Sequence, residues 1–469
     1  MRTLPIKGDF LGPSFDVERP EQLIPTRGLK HLLRPFIATA VLLGVLALSM
    51  VLPVFRVPPP DGPYGIGTLT YHWVDRSRPE IFLADPNARR ELMVQLWYPA
   101  RGSPSSPRAR YVQDADVLLP ALARLNHLPA FAFRQLRFAT TNAIPSAPVA
   151  DDLPGYPVLI FLEGAGGFRQ MNTFQVEALV SQGYIVAAID QPYTAAAVVF
   201  PDGRQAAGLS LDQLKPLIRQ SYRPSARAPK LNGRTFQDGI AGYLAQDVVF
   251  ALDQLAALNQ ADPNGILAGR LDLQRVGSFG VSLGGILAGE ACRIEPRLRA
   301  CLLMDAPMPV DVVQAGLQQP TMWITRDAQT MQLEGWPPME IDEHQATMRA
   351  AFERLRAEGY FLQVAGMFHA NLTDVPSWSP LFSWLGVTGP VDGERTHRIV
   401  NAYSLAFFDR HLKGLAEVLL DGPAEQYPEV RFESAVPPRA ASARSDGGIR
   451  SVPEPDRDHG DHPDHRGAP

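Results

Sequence analysis

The chain has 469 residues, of which 45% are hydrophobic and 20% are charged, and its formal net charge is −5. This composition is typical of a globular protein with a full hydrophobic core. Because there is no excess of basic charge, we expect no nucleic-acid partner.

Residues 35–55 form an apolar stretch without a charge. It has roughly the twenty residues that a helix needs to cross a bilayer. Basic residues precede it and only Arg56 follows closely, which places the N-terminus in the cytoplasm by the positive-inside rule. We therefore expect a cytoplasmic segment at 1–34, a transmembrane signal anchor at 35–55 and a linker at 56–64.

Two other interpretations of this stretch remain open. A signal peptide cut near Ala47-Leu48-Ser49 would release the protein, although its apolar region should be shorter. A buried core helix fits poorly with the proline-rich linker that follows. The anchor is favoured, and it places the domain outside the cytoplasm, at a bacterial cell membrane or in the periplasm; cleavage would make the protein secreted.

Beyond the linker, short apolar runs alternate with amphipathic stretches. The runs 65–74 and 90–98 predict an antiparallel edge of a sheet, and residues 101–155 predict loops with short helices. Buried strands are then predicted at 157–162, 184–189, 300–304, 321–325 and 360–364, with one more directly before Ser282. Helices between them indicate an α/β domain with a mostly parallel sheet covered on both faces.

Three further features complete this organisation. Residues 193–233 are expected to be irregular, and a last helix is predicted at 396–412, ended by Gly414. The domain is placed at 65–433. The polar tail 434–469 is predicted to be disordered because it has almost no apolar residues.

Residues 280–284 read Gly-Val-Ser-Leu-Gly, between an apolar strand and a helix rich in small residues. This strand–turn–helix setting is that of a nucleophile elbow. Gly280 and Gly284 leave room for a sharp turn that holds Ser282 at a helix N-terminus, where a developing anion is stabilised. Ser282 is the predicted nucleophile, and the alternative is a plain strand-to-helix turn.

A serine nucleophile needs a general base, which a third group must orient. His369 follows the last predicted parallel strand, where a loop brings an imidazole over the carboxyl edge of the sheet. His344 and His411 have charged neighbours in helical patterns and look like surface residues, and His397 opens the final helix. His369 is the predicted base.

Two aspartates are candidates for the third group. Asp305 directly follows the strand 300–304 and leads into a rigid Ala-Pro turn, and Asp327 follows the strand 321–325. Both lie at carboxyl ends, where open α/β sheets bind ligands. We favour Asp305 and keep Asp327 as the alternative acid.

Two backbone amides are predicted to stabilise the oxyanion. One belongs to Leu283, after the serine, and the other to Ala165, in the glycine-rich turn after the strand 157–162. That turn is otherwise only a tight connection. The mechanism requires no metal and no cofactor.

The two cysteines, Cys292 and Cys301, match no metal-binding motif. Both lie beside the nucleophile helix and would be able to pair in an exported domain. Two separately buried thiols are the favoured interpretation.

These motifs resemble the platelet-activating factor acetylhydrolase family, which comprises the lipoprotein-associated phospholipases and their bacterial relatives. Besides the nucleophile elbow, the resemblance rests on Gly-Pro-Tyr at 62–64, Glu-Leu-Met-Val-Gln-Leu-Trp-Tyr-Pro at 91–99 and Ala-Phe-Phe-Asp-Arg-His-Leu at 406–412. It covers most of the chain between anchor and tail and implies an α/β-hydrolase fold. It also implies a triad of Ser282, Asp305 and His369, with oxyanion donors at Ala165 and Leu283.

The resemblance implies a serine ester hydrolase that cleaves a short or oxidised acyl ester, including one at position sn-2 of a phospholipid. One departure is Glu163, which stands where the family usually has a histidine; a carboxylate there would alter substrate choice or make the pocket more negative. The alternatives are an esterase of the dienelactone-hydrolase or polyester type, and a catalytically silent, membrane-anchored binding module with this fold.

Overall fold

The computed structural model describes residues 55–102 and 105–435. The predicted anchor lies outside these residues except for Phe55, and so does the predicted tail from residue 436 onward. Phe55 is only 3% exposed, and its ring centroid lies 4.9 Å from that of Tyr111. It therefore belongs to the folded domain, and the anchor boundary predicted at residue 55 is wrong by at least this residue. Within the described ranges, no helix is both long enough and apolar enough to cross a bilayer.

Among the described residues, a ten-stranded sheet forms the centre of the domain, and two small hairpins lie beside it. The strands in chain order are β1 (Gly65–Pro79), β2 (Arg89–Ala100), β3 (Ile144–Pro145), β4 (Tyr156–Leu162), β5 (Ile185–Asp190), β6 (Ala197–Val199), β7 (Gln205–Ala207), β8 (Lys230–Leu231), β9 (Arg234–Thr235), β10 (Leu271–Val281), β11 (Leu298–Met304), β12 (Thr321–Thr325), β13 (Gly359–Val364) and β14 (Val430–Ala435). In space the sheet order is β14-β13-β12-β11-β10-β4-β5-β2-β1-β3, and β6 pairs with β7 and β8 with β9.

The helices lie between these strands in the sequence. They are α1 (Ala115–Leu125), α2 (Thr173–Ser181), α3 (Leu211–Tyr222), α4 (Ala241–Gln260), α5 (Leu283–Ile294), α6 (Val310–Ala315), α7 (Ala328–Leu333), α8 (Pro338–Glu353), α9 (Val375–Trp378), α10 (Leu381–Trp384) and α11 (Gly393–Phe408). Shorter 3-10 turns occur at Arg134–Phe138, His369–Leu372 and Val418–Leu420, and a π-helical turn at Asp409–Lys413.

The sheet confirms the predicted α/β arrangement. Strands β5, β4, β10, β11, β12 and β13 run parallel to one another. On one side β2 pairs antiparallel with β5, and β1 pairs antiparallel with β2, as the alternating runs near the start of the domain predict. Because parallel strands end at the same edge, their carboxyl ends bring the residues that follow them close together.

Apolar side chains from the central strands supply a core on each face of the sheet. In β4, Val158, Ile160 and Leu162 point to the face covered by α4 and α5, and Leu159 and Phe161 point to the face covered by α2 and α11. Successive side chains of a strand point to opposite faces, so a strand buried on both faces is apolar at every position. This pattern made β4 predictable from the sequence.

Two predicted boundaries at the C-terminal end differ from the structure. Residues 434 and 435, placed in a disordered tail, belong to β14, which pairs antiparallel with β13 at the edge of the sheet. An edge strand buries only one face, so its other positions are polar. These polar residues made β14 hard to recognise in the sequence. The last helix begins three residues earlier than predicted, at Gly393, and its π-helical extension ends at Gly414, which has a φ of 70°. The predicted stop at this glycine is confirmed.

The stretch 193–233, expected to be irregular, contains the helix α3. Ser210 caps its N-terminus, and Gln213 completes a capping box. Pro216 lies inside the helix, and an internal proline argues against a helix in the sequence. The hydrophobic residues that this helix buries are Leu214 and Leu217, so its buried apolar face is short.

Cys292 and Cys301 form a disulfide, so the prediction of two separate thiols is wrong. Cys292 lies near the end of α5 and Cys301 lies in β11, which directly follows that helix. The chain turns back between the two elements and brings the two Cα atoms to 6.6 Å. This distance is compatible with a bridge, and it depends on how the helix packs on the sheet.

Candidate active site

Ser282 lies at the sharp turn between β10 and α5, with φ 58° and ψ −122°. A non-glycine residue with a positive φ is strained by about 1–3 kcal/mol and is common at functional sites. Gly284 is required here, because a Cβ atom at this position would lie 1.9 Å from the carbonyl oxygen of Leu162. At Gly280 a Cβ atom would lie 2.4 Å from the backbone of Gly284. The predicted strand–turn–helix arrangement around Ser282 is therefore present.

The turn after β4 runs alongside this serine. A Cβ atom at Gly164 would lie 3.2 Å from the Cβ of Ser282, so the glycine lets the two backbones approach. The amide of Gly166 donates to Thr194 O and that of Gly167 to Gly164 O, which fixes the turn. Ala165 lies between Gly164 and Gly166 in this turn. Leu283 is the first residue of α5. Leu283 therefore directly follows Ser282 in the chain, and Ala165 directly follows the glycine that approaches Ser282.

Asp305 lies directly after β11, the neighbour of β10 in the sheet. The amide of Ser282 donates to the carbonyl of Met304 over 2.9 Å, so the serine and this aspartate follow adjacent strand ends. Asp305 is fully buried and has a φ of 48°. Burial alone would raise its pKa, but the Arg326 guanidinium and hydrogen bonds from His344 and His369 hold the pKa well below its ordinary range. Asp305 is thus a carboxylate at neutral pH.

His369 opens the 3-10 turn that follows β13. Its Nδ1 lies 2.5 Å from Oδ2 of Asp305, so the structure brings together the predicted base and the favoured acid. The side chain of His369 is 29% exposed, unlike the acid. The nitrogen that does not face Asp305 is Nε2.

Asp327, the alternative acid, serves another purpose. It is the N-cap residue of α7, and its carboxylate accepts a hydrogen bond from the Thr330 amide over 2.6 Å. Side-chain caps of this kind stabilise a helix by about 1 kcal/mol. Of the two aspartates, Asp305 is the one whose carboxylate contacts His369.

The other histidines differ from their predicted settings. His344, predicted at the surface, is only 5% exposed, and its Nε2 lies 3.3 Å from Oδ1 of Asp305. His411, also predicted at the surface, is half-buried, with its Nε2 3.2 Å from the hydroxyl of Tyr360. His397 stacks on Phe174 at a centroid distance of 3.8 Å, and burial lowers its pKa to about 4. A helical pattern does not tell which side of a helix is buried.

Glu163 is a buried residue that hydrogen-bonds to the start of the loop after β5. It is 3% exposed, and its Oε1 accepts a hydrogen bond from the Gln191 amide over 3.2 Å. Burial and the neighbouring carboxylate of Asp190 raise the pKa of Glu163 well above its ordinary range. Both effects oppose the charged form of this carboxyl, so they also oppose the gain in negative charge that the sequence led us to expect.

Three residues beside the acid and the base were missed by sequence reasoning. Arg326 is buried, and its Nε lies 2.8 Å from Oδ2 of Asp305. The same guanidinium pairs with Glu334 and lies over the ring of Trp336, 4.5 Å from its centroid. The one available signal was position, since Arg326 directly follows β12 at the carboxyl edge.

Among residues 55–102 and 105–435, no group of three histidine, cysteine or acidic side chains is arranged as metal ligands would be. The polar groups of the site are a serine, two histidines, an aspartate and the Arg326–Glu334 pair. This set is suited to nucleophilic and proton-transfer chemistry.

Comparison with known proteins gives the site its context. The chain is 21% identical to a platelet-activating factor acetylhydrolase of Gallus gallus, over 76% of this chain and 84% of that protein. A probable 1-alkyl-2-acetylglycerophosphocholine esterase of Arthroderma benhamiae is 23% identical, over 81% of this chain and 94% of that protein. A solved structure, the ferulic acid esterase from Streptomyces cinnamoneus, superposes with a TM-score of 0.63 at 28% identity and covers 81% of this chain and 99% of its own.

The family model described as "Platelet-activating factor acetylhydrolase, isoform II" matches residues 54–418, from the residue before the described domain to the 3-10 turn before β14. The match includes the nucleophile elbow, both candidate acids and all four histidines discussed above. The chain belongs to the platelet-activating factor acetylhydrolase, isoform II family.

Proposed function

We propose that this protein is a serine ester hydrolase that works through an acyl-enzyme intermediate. The observation that carries the proposal is the 2.5 Å contact between His369 Nδ1 and Asp305 Oδ2, at the sheet edge where Ser282 stands on its strained turn. An aspartate on Nδ1 holds the imidazole in the tautomer whose Nε2 accepts a proton. The names of the family and its relatives support ester hydrolysis.

In the proposed mechanism, the hydroxyl of Ser282 gives its proton to Nε2 of His369 and attacks the ester carbonyl. The amides of Leu283 and Ala165 stabilise the oxyanion that forms, aided by the N-terminus of α5. His369 then protonates the departing alcohol, and a water molecule cleaves the acyl-serine by the same route in reverse. Asp305 orients His369 and stabilises its protonated form.

We propose a short or oxidised acyl ester as the substrate, including one at sn-2 of a phospholipid. The names of the Gallus gallus and Arthroderma benhamiae relatives support this class. An ester of a soluble alcohol or acid is the second candidate, because identity to the ferulic acid esterase, 28%, exceeds the 21% and 23% shared with those relatives.

Active-site labelling tests the mechanism. A fluorophosphonate probe should form an adduct on Ser282 that mass spectrometry locates. The adduct should be absent in Ser282→Ala and strongly reduced in His369→Ala, with both variants folded by circular dichroism. An unlabelled but folded wild type would favour a binding module. Hydrolysis of 2-acetyl phospholipid, p-nitrophenyl butyrate and methyl ferulate in parallel then separates the two substrate classes.

We further propose that the apolar stretch ending at Val54 anchors the protein and that the domain lies outside the cytoplasm. Two observations support this. Phe55 and Val57 are buried in the domain, so the domain includes residues at the C-terminal end of the apolar stretch. The Cys292–Cys301 disulfide is typical of proteins from oxidising compartments. Protease accessibility of the full chain in spheroplasts tests the topology; a domain protected until lysis would contradict it.

A further inference from the structure

The acid and the base are joined by a second route besides their direct contact. Arg326 contacts Oδ2 of Asp305 through its Nε at 2.8 Å and pairs through its Nη1 with Oε2 of Glu334. The other oxygen of Glu334, Oε1, accepts a hydrogen bond from the backbone amide of His369 over 3.2 Å. Together with the contact between His369 Nδ1 and Asp305, these contacts close a ring of four residues, Asp305, Arg326, Glu334 and His369.

The ring joins segments that are far apart in the sequence. Asp305 follows β11, Arg326 follows β12, Glu334 follows α7 and His369 follows β13. The direct contact between the loop that carries the base and the acid is that of His369 Nδ1 with Asp305, and the Arg326–Glu334 pair adds a second connection. The hydrogen bond to Glu334 holds the backbone of this loop at His369, whose imidazole must stay aligned. Arg326 in turn holds Glu334 to Asp305.

Trp336 covers this ring on one side. Its ring lies over the Arg326 guanidinium, with an edge-on contact to His344 at 5.6 Å and a contact to His369 at 6.2 Å between centroids. Arg326 is fully buried, and the side chain of Glu334 is only 15% exposed. Charges that are shielded from water act on one another more strongly than exposed charges. The charges of Arg326 and Glu334 should therefore act strongly on their neighbours in this ring of residues.

We propose that Arg326 and Glu334 are positioning residues for catalysis: they lock the loop of the base onto the acid and place two opposite charges beside this pair. This inference rests on the proposed roles of Asp305 and His369. Among residues 55–102 and 105–435, the ionisable side chains with a contact to the acid or the base are Arg326 from the end of β12, Glu334 from the end of α7 and His344 from α8.

The two charges should have opposite effects on the base, by simple electrostatics. A base next to a positive charge binds its proton less readily, and a base next to a negative charge binds it more readily. Removing the charge of Arg326 should therefore move the acidic limb of the kcat/KM profile to higher pH, and removing the charge of Glu334 should move it to lower pH. Substituting a residue that serves only the fold would lower stability or activity, but it would not move the acidic limbs of the two variants in opposite directions.

The first test uses Glu334→Gln, which keeps the shape and removes the charge. We expect kcat to fall by about 10-fold or more, because small misplacements of a catalytic group cost up to about 10²-fold. The acidic limb should move down by about 1 pH unit at most. Glu343→Gln is the matched control, since Glu343 is 12% exposed and pairs with two other arginines, Arg219 and Arg223. It should change neither quantity.

The second test compares two substitutions of Arg326. Arg326→Lys keeps the charge, but it replaces a planar guanidinium, whose Nε and Nη1 contact the two carboxylates separately, by a single ammonium nitrogen. We expect its kcat to fall while the acidic limb stays in place. Arg326→Gln should lose kcat and move the limb to higher pH. If Arg326→Gln does not fold, Glu334→Gln and Arg326→Lys still decide the proposal.

The outcomes separate this proposal from the proposed function. Fluorophosphonate labelling of Ser282 in the wild type reports on the function alone. If the wild type is labelled and active but Glu334→Gln has unchanged kcat and an unmoved acidic limb, the positioning proposal is wrong and the hydrolase assignment stands. Shifts of the same sign in Glu334→Gln and Arg326→Gln would also overturn it.

Discussion

His344 Nε2 lies 3.3 Å from Oδ1 of Asp305, so the carboxylate of the acid is contacted by a second histidine besides His369. Thr325 donates its hydroxyl to the same oxygen over 2.8 Å. Because burial lowers the pKa of His344, its imidazole is neutral at neutral pH and acts towards Asp305 as a hydrogen-bond donor.

The two histidines should therefore differ sharply in their effect on activity. His369→Ala should lower kcat by about 10³-fold or more, as the loss of a triad member does. His344→Gln, which keeps a donor near Asp305, should lower kcat by less than about 10-fold. Steady-state rates on p-nitrophenyl butyrate measure both, and equal losses would mean that the assignment of the base is wrong.

The two aspartates make a second sharp comparison. Asp305→Asn should lower kcat by about 10⁴-fold, because an amide favours the wrong tautomer of the base. Asp327→Asn should leave kcat and the free energy of unfolding nearly unchanged, because asparagine caps a helix as well as aspartate does. Full activity in Asp305→Asn would point to another acid.

Glu163 should tolerate an amide in place of its carboxyl. Since the pKa of Glu163 is raised in the folded protein, the folded state holds a proton that the unfolded state releases. Stability is then lost as pH rises above the ordinary glutamate pKa. Glu163→Gln should remove this loss, so its melting temperature should gain on the wild type as the pH is raised from 4 to 8. A constant difference across that range would contradict a neutral carboxyl.

The elbow glycine Gly284 should not accept alanine. The added Cβ atom would meet the Leu162 carbonyl at 1.9 Å, and its three nearest atoms all belong to the backbone of Leu162 and Glu163, so no side-chain movement relieves the clash. We expect Gly284→Ala to be insoluble or several kcal/mol less stable. Gly242→Ala is the control: its nearest neighbour would be 3.9 Å away, and alanine in a helix should add about 0.5–1 kcal/mol of stability. Urea unfolding compares the two.

The disulfide should contribute to stability. Cys292 and Cys301 are nine residues apart, and a bridge over a short loop stabilises by about 2–4 kcal/mol. The wild type should melt at a lower temperature with reductant, and the double variant Cys292→Ser/Cys301→Ser should be insensitive to it. If the wild type also fails to respond, the bridge is either absent or without effect on stability.

The sequence alone determined the features that depend on local patterns. Apolar runs identified the parallel strands, since a strand buried on both faces, such as β4, is apolar throughout. The two elbow glycines marked Ser282, because a turn that tight excludes side chains. Chain order and position after strands selected Asp305 and His369, since parallel strands share a carboxyl edge.

Tertiary structure decided whatever depends on contacts between distant segments. The sequence gives the spacing of Cys292 and Cys301 but not the packing that brings them together. It identifies a helix around His344 but not the face that turns towards Asp305. The pairing of Arg326 with Asp305 and Glu334 joins the ends of two strands and a helix. Such contacts form only when the sheet assembles. Ion pairs and helix orientation depend on how separate segments pack in three dimensions, and no local sequence pattern encodes that packing.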